Sequence, residues 1–96
     1  MQQIVSRNRS AKHRNRIDIM AAILETTAGG GVTRSNIYYK SFLGYERLRS
    51  CMSFLIENDL IEISGYDDDN ILYRTTEKGR HFLRVYNNMI ELLDQN

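Results

Sequence analysis

The stretch at residues 42–61 restricts what this chain can fold into, because its apolar side chains recur at helical spacing. Residues three and four positions apart fall on one face of a helix. The apolar members are Leu48, Cys51, Met52 and Leu55. The opposite face is small, polar and basic, and it consists of Glu46, Ser50 and Ser53 with Arg47 and Arg49 on its flanks. Such a face is typical of a helix that enters the major groove of DNA. An ordinary amphipathic helix is the alternative, so the neighbouring segments must decide.

Charge is distributed unevenly along the chain, although the formal net charge is only +1. The basic residues are concentrated in the amino-terminal half. Residues 57–69, in contrast, include six carboxylates and no Lys or Arg. We therefore expect a molecule with a basic side and an acidic side.

The size and residue types of the chain exclude several classes of protein. At 96 residues, the chain predicts one domain with a small core, to which a second copy could add stability. Cys51 is the single cysteine, so an intrachain disulfide is excluded and packing is its expected role. No apolar run approaches the roughly 20 residues that span a bilayer, and the amino terminus has no apolar signal-peptide core. We expect an intracellular protein.

The sequence does not support catalysis. His13 and His81 lie in different segments, so neither forms a plausible constellation with a nucleophile. The glycines at 29–31 follow a predicted helix instead of linking a strand to one, which argues against a phosphate-binding loop. The aspartates at 67–69 could hold a divalent cation loosely, but a solvated turn is the favoured interpretation. We predict no enzyme activity, cofactor, metal or small-molecule ligand.

An arm and two helices are predicted before residues 42–61. Residues 1–13 are polar and basic and are predicted to form a flexible arm. An apolar stripe then predicts a helix that ends at the glycines 29–31. The stripe consists of Ile17, Met20, Ala21, Leu24 and Ala28, widened by Ile19 and Ile23. Thr33 is a predicted N-cap for a short helix to about Lys40. Its inward side chains are expected to be Ile37 and Tyr38.

Two strands and a long helix are predicted after residues 42–61. Apolar side chains alternate from Ile61 and resume at 71–73, on either side of a polar turn at 67–70. Thr76 is the predicted N-cap of a helix that continues to about Leu93. Three helices followed by a β-hairpin form a winged helix-turn-helix. The predicted fold class is α+β, mostly α, with a winged-helix domain at 14–75 and a dimerisation helix at 76–96.

The last predicted helix has more apolar surface than docking on one domain requires. Its apolar arc covers about half the circumference, whereas a helix packed on one side needs about 100°. Phe82, Tyr86, Met89 and Leu93 have the spacing of a short coiled-coil seam. We therefore predict a homodimer through this helix, and a stripe buried entirely within one chain is the alternative.

Several of these residues also match a known pattern. They are Leu43, Tyr45, Leu48, Met52, Leu55, Leu60, Ile61 and Tyr73, together with TTEKGRHFLRVYNNM at 75–89. With them, the chain resembles small archaeal winged-helix DNA-binding proteins over residues 14–93. The most specific positions are Thr76, Lys78, Gly79, Phe82 and Leu83. The resemblance implies a transcriptional regulator or chromatin-type protein that dimerises through a carboxy-terminal antiparallel coiled coil. It also implies that Gly79 lets the last helix lie close against the domain.

Two features depart from the family pattern. Gly44 stands where the family often has serine, so an N-cap hydroxyl is missing from the third helix. The wing tip at 67–70 is acidic and would be repelled by DNA. We therefore expect the wing to point away from the duplex or to meet another protein.

The predicted function is duplex DNA binding by a homodimer, with the third helix in the major groove. The residues expected to contact DNA are Arg7, Arg9, Lys12, Arg14, Arg34, Lys40, Glu46, Arg47, Arg49, Ser50 and Ser53. The expected dimer residues are Phe82, Val85, Tyr86, Met89 and Leu93. The expected location is the cytoplasm, in association with the nucleoid. The alternative is a protein-interaction module that kept the fold and lost DNA binding.

Overall fold

The computed structural model describes residues 15–41 and 43–94 as four helices and a three-stranded antiparallel sheet. In chain order they are α1 (Arg16–Thr26), β1 (Val32–Thr33), α2 (Arg34–Ser41), α3 (Tyr45–Glu57), β2 (Ile61–Asp67), β3 (Asn70–Thr75) and α4 (Glu77–Asp94). The sheet order is β1-β3-β2, and β2 with β3 forms the wing. The predicted mostly helical winged helix with a carboxy-terminal helix is confirmed. The predicted arm at residues 1–13 lies outside the described residues.

The core is formed where α1 and α3 pack together and against the sheet. The predicted inner face of α3 is confirmed, since Leu48, Cys51, Met52 and Leu55 are each at most 2% exposed. The stripe predicted for α1 is partly wrong. Ile17 is 46% exposed and Ala28 lies beyond the helix end, whereas Ile19 and Ile23 are almost completely buried. Met20, Ala21 and Leu24 of the predicted stripe are buried as well, because α1 contacts other elements on several sides. Ile17 is exposed in the first turn of the helix.

The beginning of α1 is set by side-chain hydrogen bonds. The Asn15 side chain accepts a hydrogen bond from the Asp18 N–H at 2.9 Å, and the Asp18 carboxylate accepts one from the Asn15 N–H at 3.4 Å. This capping box begins the helix. The helix ends at Thr26, earlier than the glycines predicted to end it. Gly30 and Gly31 instead form the following turn, with positive φ angles of 81° and 66° that favour glycine.

Two buried threonines attach the end of α1 to β3. The hydroxyl oxygens of Thr27 and Thr75 are 2.7 Å apart, and both residues are completely buried. Thr75 also donates from its hydroxyl to the Leu24 carbonyl at 2.6 Å and from its N–H to the Thr27 carbonyl at 3.0 Å. These bonds satisfy the polar groups that the close packing of helix and strand removes from water.

The wing is an irregular hairpin. Its register pairs Ile61 with Thr75 and Tyr66 with Ile71, and it shifts between Ile63 and Gly65. Beyond the hairpin, β1 pairs with the other edge of β3, placing Val32 opposite Tyr73. The predicted hairpin is confirmed, and β1 is an additional strand.

The short helix α2 leads from β1 toward α3. The Thr33 hydroxyl accepts a hydrogen bond from the Asn36 N–H at 3.2 Å, as expected of the predicted N-cap. Ile37 is buried, as predicted. The inward position predicted for Tyr38 is wrong, because the residue is 38% exposed and its ring contacts two other tyrosines at the surface.

The beginning of α4 fits closely against the segment that follows α3. The Thr76 hydroxyl accepts a hydrogen bond from the Gly79 N–H at 3.0 Å and donates one to the Asp59 carbonyl. A Cβ atom on Gly79 would collide with the Leu60 carbonyl oxygen and lie 2.5 Å from Thr75 Cγ2. The close approach predicted for this glycine is therefore confirmed. Glycine is required here by space, since its φ is not positive.

Candidate nucleic-acid interface

The outer face of α3 and the first residue of α2 form one shallow polar depression. Glu46, Arg49, Ser50 and Ser53 line it on the α3 side, and Arg34 completes it. The outward position predicted for Glu46, Ser50 and Ser53 is confirmed. The depression thus brings together side chains from two elements that the sequence places a dozen or more positions apart.

Arg34 is held in place from beneath by the sheet. Its Nη2 atom donates to the Tyr73 hydroxyl at 3.2 Å, and its guanidinium carbon lies 5.7 Å from the centroid of the Tyr73 ring. Tyr73 itself is 4% exposed, so its position is fixed by the core. The cation therefore projects from a rigid base beside α3.

Arg49 is paired only weakly at the surface. Its guanidinium lies 3.7 Å from the Glu46 carboxylate, and the two side chains are 58% and 83% exposed. Ion pairs this exposed contribute little to stability, so a stronger anionic ligand could displace Glu46 at small cost.

The other predicted contact residues lie around this depression or outside the described residues. Arg47 is exposed on α3, and Lys40 is exposed in the last turn of α2, but neither lines the depression. Four predicted contact residues lie outside the described residues, namely Arg7, Arg9, Lys12 and Arg14. Arg16 was missed by the sequence interpretation. It stands 4.9 Å above the Phe54 ring and so adds a cation to the flank of α3, as its place in the amino-terminal basic run indicated.

The wing tip lies close to this surface. Asp69 and Asn70 line a depression together with Thr33, Arg34 and Ser35. Asp69 therefore borders the same arginine as the outer face of α3 does, and the expected position of the wing relative to a duplex stays a prediction. The pairing of β1 with β3 brings the hairpin beside the start of α2 and explains the position of Asp69.

Comparison with known proteins decides the family. A winged helix-turn-helix family model matches residues 13–94. The chain belongs to this family. A comparison with curated proteins gives no match.

Three solved structures share the fold. Sso10a-2, a DNA-binding protein from Sulfolobus solfataricus, aligns with a TM-score of 0.73 and 20% identity over 84% of this chain and 83% of its own. F-93 of SSV1 aligns with a TM-score of 0.61 and 21% identity over 80% of this chain and 90% of its own. Streptococcus pneumoniae FabT, solved in complex with DNA, aligns with a TM-score of 0.62 and 15% identity over 90% of this chain and 63% of its own. The predicted resemblance to winged-helix proteins is confirmed at the level of the fold.

The last helix of this winged-helix protein has two different apolar edges. On the inner edge, Leu83 is buried and Phe82 packs against the core. Tyr86 also packs there, and its hydroxyl donates to the Asp18 carboxylate. Two of the four residues of the predicted seam, Phe82 and Tyr86, therefore pack against their own chain. The apolar residues exposed on α4 are Val85, Met89, Leu92 and Leu93, at 53%, 43%, 69% and 59%.

A cluster of three tyrosines lies where α2 meets α3. The centroid of the Tyr38 ring lies 5.6 Å from that of the Tyr39 ring and 6.5 Å from that of the Tyr45 ring, and both contacts are edge-on. With Arg34 and Ser35 they line an open depression. The sequence interpretation missed this cluster, although three tyrosines within eight positions beside Lys40 were a usable signal.

Within residues 15–41 and 43–94, no helix has the length and apolar content to cross a membrane. The same residues contain no group of three or more His, Cys, Asp and Glu side chains arranged to hold a metal ion.

Proposed function

We propose that this winged-helix protein binds duplex DNA, with α3 in the major groove. The observation that supports this most strongly is the depression where the outer face of α3 meets Arg34. Ser50 and Ser53 are small enough to let the helix approach base edges, and an arginine can donate two parallel hydrogen bonds to guanine. A DNA-binding protein and a protein solved with DNA share the fold, which agrees with this function.

We assign the charged side chains different roles in this proposal. Arg49 and Arg47 lie on the two flanks of α3 and would contact bases, while Glu46 would accept a hydrogen bond from cytosine. Arg34 and Lys40 on α2 would contact phosphates beside the groove. The basic residues at 7–14 would follow the DNA backbone or enter a minor groove.

We further propose that two copies associate through α4. Val85, Met89 and Leu92 are separated by four and three positions, which is coiled-coil spacing, and all three are exposed. Leu93 extends this edge at the end of the helix. Phe82 and Tyr86 would support the interface from the intrachain side. Burying a large apolar side chain contributes roughly 1.5–3 kcal/mol, and about half of that for a residue already half-buried. A pair of helices would bury eight such residues, which is comparable to the cost of association.

Salt-dependent binding to random duplex DNA tests the first proposal. Each phosphate contact should steepen the dependence of log K on log salt by about 0.9. An Arg47→Ala, Arg49→Ala variant should bind more weakly than the parent. The control, Arg80→Ala with Arg84→Ala, removes the same charge from α4 and should bind nearly as the parent does. Equal affinity of the α3 variant and the parent would refute the role of α3. Absence of salt-dependent binding by the parent would favour the protein-interaction module.

Sedimentation at micromolar concentration tests the second proposal. The parent should sediment at twice its chain mass of 11.2 kDa. A Met89→Glu, Leu92→Glu variant should sediment as a folded monomer and bind DNA less tightly, because two linked sites act at high effective concentration. The control Asn87→Glu, Asn88→Glu places the same charges at exposed polar positions of α4 and should remain dimeric. A parent of single-chain mass would refute the dimer.

A further inference from the structure

We propose that the Tyr38, Tyr39 and Tyr45 rings form a second nucleic-acid site, which stacks on an unpaired base where duplex DNA is open or ends. The inference rests on the proposed DNA binding and adds a class of substrate to it, namely duplex joined to single strand. Two of the rings are well exposed at the surface. Tyr39 is 73% exposed and Tyr45 is 58% exposed, so both residues lie largely in solvent.

The fold does not require these rings. Tyr39 and Tyr45 are not among the residues that form or directly support the core. Their ring contacts are with Tyr38, in edge-on geometry at interplanar angles of 69° and 64°. Edge-on contact between inclined rings leaves ring faces accessible, and a large planar surface exposed to water is a feature of binding sites.

The surroundings of the rings favour a nucleic acid over a protein partner. Among the described residues, the depression is lined by Arg34, Ser35, Tyr38, Tyr39, Tyr45 and Leu48, a set that includes a cation and no carboxylate. Lys40 follows Tyr39 directly and is exposed. Aromatic rings interleaved with cations are the usual composition of sites for single-stranded nucleic acid.

The site is also continuous with the proposed duplex surface. Arg34 lines both the tyrosine depression and the depression on α3. A phosphate held by this guanidinium would border both depressions. DNA bound on the outer face of α3 would therefore lie next to the tyrosine rings.

The exposed ring faces decide which form of DNA suits the site. A phosphate can use only the tyrosine hydroxyl, and in a regular duplex each base face is covered by its neighbours. A ring face gains a stacking partner only from a base that has left the duplex stack. Alanine substitution at such a contact weakens binding roughly fivefold to more than a hundredfold per base.

The test compares a blunt duplex with the same duplex carrying a single-stranded thymine tail, by fluorescence anisotropy with the full chain. The parent should bind the tailed duplex at least about fivefold more tightly. A Tyr39→Ala, Tyr45→Ala variant should lose this gain and keep its affinity for the blunt duplex. A Tyr39→Phe, Tyr45→Phe variant retains the rings and should retain the gain. Both positions are exposed, so both variants should keep the parent's circular dichroism spectrum.

Four results would overturn the inference. The first is equal affinity of the parent for both duplexes. The second is loss of the gain in the phenylalanine variant, which would assign the contact to the hydroxyls. The third is that the alanine variant loses affinity for the blunt duplex by the same factor as for the tailed duplex. The fourth is a lower sedimenting mass of the alanine variant, which would show that a second copy covers the rings. Binding of the blunt duplex by the parent tests the proposed function separately, so the first result leaves that function intact.

Discussion

Replacing Gly79 by alanine should destabilise the fold through a single added methyl group. The new Cβ would collide with the Leu60 carbonyl oxygen and lie 2.5 Å from Thr75 Cγ2. Non-bonded carbon atoms prefer separations of about 3.5–4.0 Å, so the start of α4 would have to move by about 1 Å. A backbone carbonyl and a completely buried threonine cannot easily give way to it.

The size of the effect follows from two contributions that lower the stability and one that raises it. Overpacking of this kind costs roughly 1–3 kcal/mol. Movement of α4 also lengthens two hydrogen bonds, each 3.0 Å long, from the Thr76 N–H to the Leu60 carbonyl and from Lys78 Nζ to the Asn58 carbonyl. Losing one of them costs about 1 kcal/mol. Alanine returns about 1 kcal/mol through its higher helix propensity. We expect the free energy of unfolding to fall by about 2 kcal/mol, or the melting temperature by about 10 °C.

Urea denaturation followed by circular dichroism is the appropriate measurement, at one fixed protein concentration because association would raise the apparent stability. Gly29→Ala is the matched control. A Cβ at Gly29 has no atom within 4 Å, and its φ is not positive. The control should therefore be unchanged or slightly more stable than the parent. A Gly79→Ala protein as stable as the Gly29→Ala protein would refute the argument that space, and not flexibility, requires this glycine.

Three further predictions concern the threonine pair, the wing and the arm. Thr75→Val removes one of two linked buried hydroxyls and should lower the free energy of unfolding, measured in urea, by about 1–3 kcal/mol. The control Thr26→Val removes a part-buried hydrogen bond to the Ala22 carbonyl and should lower the free energy of unfolding by less. Converting the aspartates at 67–69 to asparagine should strengthen duplex binding severalfold at low salt and less at high salt, and no change would place the wing tip away from DNA. Deleting residues 1–12 should reduce the slope of log K against log salt by about 0.9 for each phosphate that the arm neutralises in the parent. An unchanged slope would exclude a role of the arm in DNA binding.

Helical periodicity predicted α3 better than α1 because the two helices differ in surroundings. In α3 one face packs and the other meets solvent, so polar and apolar residues separate clearly around the helix. In α1 the apolar residues occupy most positions, and neighbours on several sides decide which are buried. Ile17 and Ile19 are equally apolar, yet only Ile19 meets the core. The two-residue β1 is too short for any alternation and exists because Tyr73, far along the chain, pairs with Val32.

The sequence predicted the part of the candidate site that lies on one helix. It did not predict the part that depends on how separate elements pack together. The outward face of α3 followed from spacing alone. The position of Asp69 beside Arg34 depends on the irregular register of the hairpin and on β1, which the sequence does not reveal locally. On α4, Tyr86 and Met89 share one predicted seam, and only the packed structure assigns Tyr86 to its own chain.

The hydrogen bond between Arg34 and Tyr73 has a consequence for the entropy of binding. A free arginine side chain has about 2 kcal/mol of rotamer entropy to lose when it binds a ligand. Part of that loss has already occurred here on folding, because the guanidinium is held over the Tyr73 ring. Arg34 should therefore bind a phosphate with a smaller entropic penalty than Lys40, which is exposed at the end of its helix. A change at Tyr73, which is buried in the sheet, would then weaken DNA binding without removing any atom that touches DNA.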